Sequence, residues 1–304
     1  MWPRPHEPHR AARRVAAERL GERLPPLLVE AERVAASVAP GLHGRRRTGL
    51  GETFWQYRPY QPGDDVRSID WRASARSDRH RFVRENEWEA AQSVWIWCDA
   101  SPSMAYRGPG VREDKRARAE LLALALAVLL IRGGERVALL GSGRRPAGGR
   151  FGLERFTADL LEGGGPTDSL PPEVPLPRFA RLVLISDFLV EPRALERRVA
   201  VHAARGIAGS ALALWDPSEV ELPFSGRVLF EDPEGRARAL VGRVEEVRGR
   251  YRALLAAHRE ELRERLARCR CTLALHRTDQ PAASGLLALT RMLDPRAGGR
   301  GGGP

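Results

Sequence analysis

From residue 93 onward, short apolar runs alternate with longer amphipathic stretches. The runs are rich in Val, Ile, Leu and Trp and have the length of buried strands, while the stretches between them have the length of helices. Such alternation is typical of a doubly wound, mostly parallel sheet with helices on both faces. The pattern predicts strands over 93–98, 135–141, 181–186, 209–215 and 271–276, and helices over 114–131, 154–161, 193–204, 243–267 and 282–293.

Other segments depart from this alternation. Residues 10–39 predict a helix that is interrupted at Pro25-Pro26, and residues 221–241 predict an inserted hairpin that turns at Asp232-Pro233-Glu234-Gly235. The predicted organisation therefore has four parts. These are an N-terminal helical segment over 1–45, a β-rich segment over 46–92 that packs on the main domain, an α/β domain over 93–295 and a disordered glycine-rich tail over 296–304.

The formal net charge of +11 first suggests a nucleic-acid partner. Because basic residues are interspersed with Asp and Glu, and all but Lys115 are arginine, we interpret the charge as a composition bias on a solvated surface. The first residues lack an apolar signal-peptide core, and the longest apolar run, Leu121 to Ile131, is shorter than the about 20 residues of a membrane span. We expect a cytoplasmic protein with no membrane span and no nucleic-acid partner.

Three oxygen-bearing side chains follow the first predicted strand of the sheet. Asp99, Ser101 and Ser103 occupy alternate positions at the point where the strand stops. A hard cation such as Mg²⁺ prefers oxygen ligands and keeps some of its waters, which leaves positions open for a partner. The two serines are equally suited to capping the turn that follows. This run alone leaves a metal site and a cap evenly balanced.

Two later segments favour the metal. Thr167 follows three glycines and presents another hydroxyl, and Asp187 ends the strand predicted over 181–186. Because the carboxyl ends of parallel strands meet at one edge of a sheet, Asp99 and Asp187 are expected to share that edge.

Asp-x-Ser-x-Ser followed by Thr and then Asp resembles the metal-ion-dependent adhesion site of von Willebrand factor A domains, which have a Rossmann-type fold. The resemblance implies that five side chains surround one Mg²⁺ or Mn²⁺, some of them through water. These are Asp99, Ser101, Ser103, Thr167 and Asp187.

The segment before the sheet interleaves aromatic and arginine side chains with acids. Aromatic and basic residues together can stack on single-stranded nucleic acid. The acids at Asp64, Asp65 and Asp70 would repel phosphates, so we favour a structural cluster of arginine–carboxylate pairs and arginine–aromatic stacking. Its characteristic residues are Tyr57, Arg58, Tyr60, Gly63, Asp64, Asp65, Arg67, Asp70 and Trp71.

Together with the Asp99 motif, this segment resembles the bacterial family known as domain of unknown function 58, over about Arg47 to Asp294. The chain looks like the short branch that lacks the membrane helices of many relatives. The resemblance implies a chaperone-like role beside a MoxR-type AAA+ ATPase in assembling or activating client proteins. One departure is the proline-rich stretch over 166–177, which is either a rigid connector or a contact surface.

Three classes of function follow. The first, which we favour, is a non-catalytic, divalent-metal-dependent protein-binding module whose partner, the ATPase or its client, supplies a carboxylate to the cation. The second is a Mg²⁺-dependent phosphotransfer or hydrolase enzyme that uses Asp99. That chemistry requires a second carboxylate two positions later, where Ser101 stands, and a later lysine, for which Lys115 is the single candidate. The third is nucleic-acid binding by the basic surface. No catalytic motif or histidine spacing supports the enzyme.

Overall fold

The computed structural model describes two compact units, one within residues 45–91 and one formed by the rest of the chain. That residues 46–92 and 93–295 form separate domains stays a prediction. The residues described are 26–39, 54–59, 71–74, 82–86, 92–162, 168–235 and 237–294.

The larger unit is built on a five-stranded parallel sheet with the strand order β4-β3-β5-β6-β9. The three inner strands, β3, β5 and β6, are apolar and almost continuously buried, as strands inside parallel sheets generally are, whereas the edge strand β9 is partly exposed. The bounds are β3 Ser93–Cys98, β4 Arg136–Leu139, β5 Arg181–Ser186, β6 Ala208–Trp215 and β9 Cys271–Arg277.

Helices cover both faces of the sheet. Side chains alternate along each strand, so Val94 and Ile96 join one core while Trp95 and Trp97 join the other. The first core is closed by helix α1, residues 26–38, with α3 Lys115–Arg132, α4 Gly149–Leu161 and α8 Ala282–Leu293. The second is closed by α5 Pro192–Ala203 and α7 Val244–Arg268. The predicted α/β class and doubly wound sheet are therefore confirmed.

Two short elements sit between β6 and α7. Helix α6, Pro217–Glu221, is capped by Asp216 and was not predicted. The hairpin of β7, Val228–Glu231, and β8, Arg238–Val241, was predicted, including its turn, where the Gly235 N–H donates to the Asp232 carbonyl at 2.8 Å. None of the described helices combines the length and apolar composition that a bilayer crossing requires.

The smaller unit contains an antiparallel pair of strands, β1 Phe54–Pro59 and β2 Phe82–Asn86, and the single-turn helix α2, Trp71–Ser74. The β-rich character predicted for this segment agrees with that pair. The predicted tail over 296–304 and most of the N-terminal segment before residue 26 lie outside the described residues.

Candidate metal site at the carboxyl edge of the sheet

The candidate site lies where the sheet topology opens a crevice. Strand β3 enters the sheet between β4 and β5, so the connections from β3 to β4 and onward to β5 run in opposite directions. Ligands of open parallel sheets bind at such a switch point, outside the carboxyl ends of the strands. Asp99 follows β3 and Asp187 follows β5, and the Asp99 N–H donates to the Ile185 carbonyl at 2.9 Å. The two predicted carboxylates therefore share this edge.

Asp99 is fully buried, with 0% exposure. Its Oδ1 accepts a hydrogen bond from the Ser101 N–H at 2.8 Å, and its Oδ2 accepts one from the Ser186 hydroxyl at 2.6 Å. Burial raises the pKa of the Asp99 carboxyl above its ordinary value, although these hydrogen bonds oppose the rise. Within the described part of the chain, no lysine, arginine or histidine forms an ion pair with Asp99.

The two serines of the motif present their hydroxyls side by side. Ser101 Oγ and Ser103 Oγ lie 3.2 Å apart at the start of a 3₁₀ turn over Pro102–Ala105. Although Ser101 occupies the N-cap position, its side chain makes no capping hydrogen bond, which weakens the interpretation as a cap. Adjacent oxygen ligands of a Mg²⁺ ion at about 2.1 Å are about 3 Å apart in octahedral geometry, so the observed spacing suits two neighbouring ligands.

Asp187 has a different environment. Its Oδ2 accepts a hydrogen bond from Lys115 Nζ at 2.8 Å, and its Oδ1 accepts one from the Leu189 N–H at 3.1 Å. The following residue, Phe188, adopts a left-handed conformation with φ of 50° and is fully buried. Such a conformation is uncommon for a bulky residue, and it turns the chain sharply immediately after the carboxylate.

Lys115 was not predicted as a site residue. It is fully buried, and its Nζ also donates to Glu219 Oε1 at 2.5 Å. Burial disfavours the ammonium, but the two carboxylates outweigh that effect and the pKa of Lys115 is raised. Two sequence signals could have identified it: it is the single lysine of an arginine-rich chain, and it begins α3, where the helix dipole disfavours a cation.

Further polar groups at this edge are also paired. Asp216 caps α6, and Glu219 Oε2 accepts from the Asp216 N–H at 2.8 Å to complete a capping box. His276, at the end of β9, is buried with its Nε2 2.9 Å from Arg118 Nη1. Burial and the neighbouring Arg118 lower the pKa of His276 to about 4, so the neutral ring accepts this hydrogen bond.

The turn of the β7–β8 hairpin also reaches the site. Glu234 Oε1 accepts long hydrogen bonds, both 3.4 Å, from the Ser103 N–H and the Ser169 hydroxyl. Thr167, the remaining predicted ligand, lies outside the described residues.

Among the residues that the structure describes, no three His, Cys, Asp or Glu side chains are grouped so that they could hold a metal ion together. A cation here would therefore depend on the serine hydroxyls, with carboxylates reaching it through water.

The characteristic residues of the 46–92 segment are only partly described. Tyr57 and Arg58 lie on β1, and Trp71 begins α2 with 59% of its surface exposed. The others lie outside the described residues, so the arginine–carboxylate cluster stays a prediction. They are Tyr60, Gly63, Asp64, Asp65, Arg67 and Asp70.

Comparison with known families gives a match to the model of the protein of unknown function DUF58 over residues 56–261. That match spans more than half of the chain. The chain belongs to the DUF58 family. The matched residues include Asp99 and Asp187, Lys115, and the hairpin that carries Glu234. The candidate site thus lies within the part of the chain that is shared with other DUF58 proteins.

Curated relatives of this DUF58 chain include uncharacterised proteins of Mycobacterium bovis and of two Mycobacterium tuberculosis strains. They are 30% identical to it, and each match covers 76% of this chain and 76% of the relative. A solved structure, the conserved hypothetical protein BatB from Bacteroides thetaiotaomicron, is 16% identical and has a TM-score of 0.39. That match covers 67% of this chain and 99% of the BatB chain.

Proposed function

We propose that this DUF58 protein is a non-catalytic, divalent-metal-dependent protein-binding module with a site like that of von Willebrand factor A domains. The observation that carries the proposal is Asp99, a fully buried carboxylate beside two adjacent serine hydroxyls, with no basic partner among the described residues. A buried charge is costly unless it is paired or binds a metal. A removable cation is the partner that these oxygen ligands would select.

The available donors fit Mg²⁺ or Mn²⁺. Ser101 and Ser103 would bind the ion directly, while Asp99 and Asp187 would hold its waters. When bound, the ion would supply a Lewis-acidic position that a carboxylate from another protein can complete. Asp99 would keep both serines in place, because its Oδ1 accepts from the Ser101 N–H and its burial restricts its movement.

The partner in this proposal is a MoxR-type AAA+ ATPase or a client protein of that ATPase. Support for this part comes from the resemblance of the 46–92 segment and the Asp99 motif to the family, taken with the DUF58 match. The cytoplasmic location is likewise a proposal. We infer that the module contributes recognition, and that the ATPase contributes the chemical energy.

A second candidate is Mg²⁺-dependent phosphotransfer through Asp99. It is favoured by the proximity of a lysine to the edge, because Lys115 Nζ lies 2.8 Å from Asp187 Oδ2. A nucleophilic carboxylate needs an accessible oxygen, whereas both oxygens of Asp99 accept hydrogen bonds in a site with 0% exposure. We therefore rank this function second.

The experiment is calorimetric titration of the protein with Mg²⁺ and Mn²⁺, with and without a co-encoded AAA+ ATPase. Wild type should bind one ion, and the ATPase should bind more tightly when the ion is present. Asp99→Asn should remove ion binding while retaining the fold, and the control Asp279→Asn, at an exposed pair on the same edge, should behave as wild type. Equal ion affinity in wild type and Asp99→Asn would refute the site. Cation-dependent release of phosphate from a phosphate ester by wild type, lost in Asp99→Asn, would favour the second candidate.

A further inference from the structure

Strand β9 forms one outer edge of the five-stranded sheet, and its pairing with β6 fixes which backbone groups face outward. The Gly209 N–H donates to the Arg270 carbonyl, and the Thr278 N–H donates to the Trp215 carbonyl, both at 3.1 Å. Because successive residues of a strand direct their backbone groups to opposite sides, the even-numbered residues of β9 bond to β6. The odd-numbered residues direct their N–H and C=O groups away from the sheet. These include Cys271, Leu273 and Leu275.

The two edges of the sheet differ. On β4, Val137 exchanges both backbone hydrogen bonds with Ala147, each at 3.0 Å, and the strand has only four residues. Strand β9 has seven residues, and its outward groups at Cys271, Leu273 and Leu275 have no hydrogen-bond partner within the described residues. Over this part of the chain, the protein therefore closes one edge of its sheet and leaves the other open.

Strand β9 also lacks the features that usually keep an open edge from pairing. Proteins protect such edges with proline, lysine, bulges or inward-pointing charges. β9 contains neither proline nor lysine, and its register with β6 is regular. The charge of Arg277 is held at the end of the strand by ion pairs with Glu221 and Asp279. Leu273 and Leu275 are partly exposed, so the edge offers apolar surface beside its outward backbone groups.

We propose that β9 pairs with β9 of a second copy of this chain, antiparallel and around a twofold axis at Ala274. Ala274 is the midpoint of the strand, so this register overlaps all seven residues. It places Leu273 opposite Leu275 of the partner subunit. Two such residues exchange both backbone hydrogen bonds, with their α carbons about 5.5 Å apart. The two five-stranded sheets would become one continuous sheet. This inference does not depend on the proposed metal site.

The second copy is the occupant because the edge is complementary to itself. Both strands have the same length, and the register brings half-buried leucines together from the two copies. The C-terminal half of α7 packs in the same core as β9 and carries both signs of charge, in the ion pairs Glu260–Arg263 and Glu261–Arg265. Two copies of a basic chain would therefore meet beside helices of mixed charge, where their repulsion is small.

The first test is sedimentation equilibrium of wild type without added metal, combined with amide hydrogen exchange along β9. Wild type should be a dimer. The N–H groups of Leu273 and Leu275 should exchange at least about tenfold more slowly in the dimer than in the monomer obtained by dilution. The N–H groups of Thr272 and Ala274, which bond to β6, should stay protected in both. A monomeric wild type, or a dimer in which the amides of Leu273 and Leu275 exchange freely, would overturn the inference.

Charge substitutions test the register. Leu273→Lys together with Leu275→Lys places like charges opposite one another, which should weaken the dimer at least about tenfold. Leu273→Lys together with Leu275→Glu places opposite charges there and should dimerise more tightly than the double-lysine variant. The control Leu229→Lys, at a hairpin position that is 53% exposed, should dimerise as wild type does.

Circular dichroism establishes whether each variant is folded. Equal dimer affinity in the two folded double variants, whether weakened or unchanged, would overturn the inference, because Leu273 would then not lie opposite Leu275 of the partner subunit. If a double variant does not fold, the hydrogen exchange of wild type decides.

Discussion

Two halves of one sheet edge handle buried polar groups in opposite ways. Beyond β5, β6 and β9, three polar groups meet basic side chains of helix α3: Asp187 and Glu219 meet Lys115, and His276 meets Arg118. The buried Asp216 of this half instead accepts hydrogen bonds from the N–H groups of Gly108 and Ser218 and caps helix α6. Beyond β3, the equally buried Asp99 meets only hydroxyl and N–H groups among the described residues. We call these the paired half and the unpaired half of the edge.

The contrast indicates which half is structural. A carboxylate that has a permanent ammonium partner needs no further cation, whereas an unpaired one raises the free energy of the folded state until a cation arrives. Burial correspondingly raises the pKa of Asp99. In the proposed function, an exchangeable ion would take the position beside Asp99, whereas the cation beside Asp187 is the side chain of Lys115.

Lys115→Met tests whether the ion pairs of the paired half stabilise the fold. The substitution removes the ammonium but keeps an apolar side chain of similar length. The buried Asp187 and the partly buried Glu219 would be left as carboxylates without their cation. We expect the free energy of unfolding to fall by about 3–5 kcal/mol, as for other buried ion pairs that lose one partner. Urea unfolding followed by circular dichroism measures this.

The control for Lys115→Met is Arg116→Met at the next position, where the arginine side chain is 39% exposed and pairs with Glu120. Partly exposed pairs contribute about 1 kcal/mol or less, so this variant should remain close to wild type. If Lys115→Met lost no more stability than Arg116→Met, the paired half would not be structural and the comparison would fail.

His276 should make the stability of the paired half depend on pH. The unfolded chain binds a proton at His276 below its ordinary pKa of 6.5, whereas the folded protein does so only below about 4. Lowering the pH through this window therefore favours unfolding, and stability that is fully present above pH 6.5 is lost toward pH 4. The difference between these two pKa values of His276 corresponds to about 3 kcal/mol in the free energy of unfolding.

His276→Gln keeps an acceptor for the Arg118 guanidinium but cannot titrate. We expect wild type to lose about 3 kcal/mol more than this variant between pH 7 and pH 4, as measured by urea unfolding at each pH. The titratable and charged neighbours of His276 are Arg118, which opposes its protonation, and Asp279, which favours it. Parallel pH profiles for the two proteins would show that the imidazole is not held neutral.

Much of the fold could be predicted from the sequence because periodicity and run length are local properties. Strand β5 was predicted with its observed bounds, Arg181–Ser186, and the hairpin was recognised from its turn residues. The strands β1 and β2 were not predicted individually, because they pair across an intervening segment of about two dozen residues with no hairpin signal between them.

The candidate site divides in the same way. Asp99, Ser101 and Ser103 form a local motif, so the sequence alone is enough to propose them, whereas the contacts of Lys115 join residues 72 and 104 positions apart. Glu219 lies on α6, which at five residues is too short to show a helical period. Residues so far apart in sequence come together only when the strands assemble into the sheet. The one indirect signal in the sequence was that Lys115 is the single lysine.

The smallest and most specific change to the unpaired half is Ser103→Ala, which removes one hydroxyl from the pair that is 3.2 Å apart. Ser103 is half-buried, so the metal-free variant should keep its stability within about 0.5 kcal/mol of wild type. Losing one direct ligand should weaken Mn²⁺ binding by about tenfold, or about 1.4 kcal/mol. Calorimetry measures the affinity, and thermal unfolding without metal measures the stability.

The control is Ser142→Ala, just beyond β4 on the same sheet, whose hydroxyl donates to the Leu139 carbonyl at 2.9 Å and is not a predicted ligand. It should leave Mn²⁺ affinity unchanged. Ser103→Ala with unchanged affinity, beside an Asp99→Asn variant that no longer binds, would place the ion on the carboxylate without Ser103. The unpaired half would then work as a simple charge site rather than as a pair of hydroxyl ligands, and the likeness to an adhesion-type metal site would lose its chemical basis.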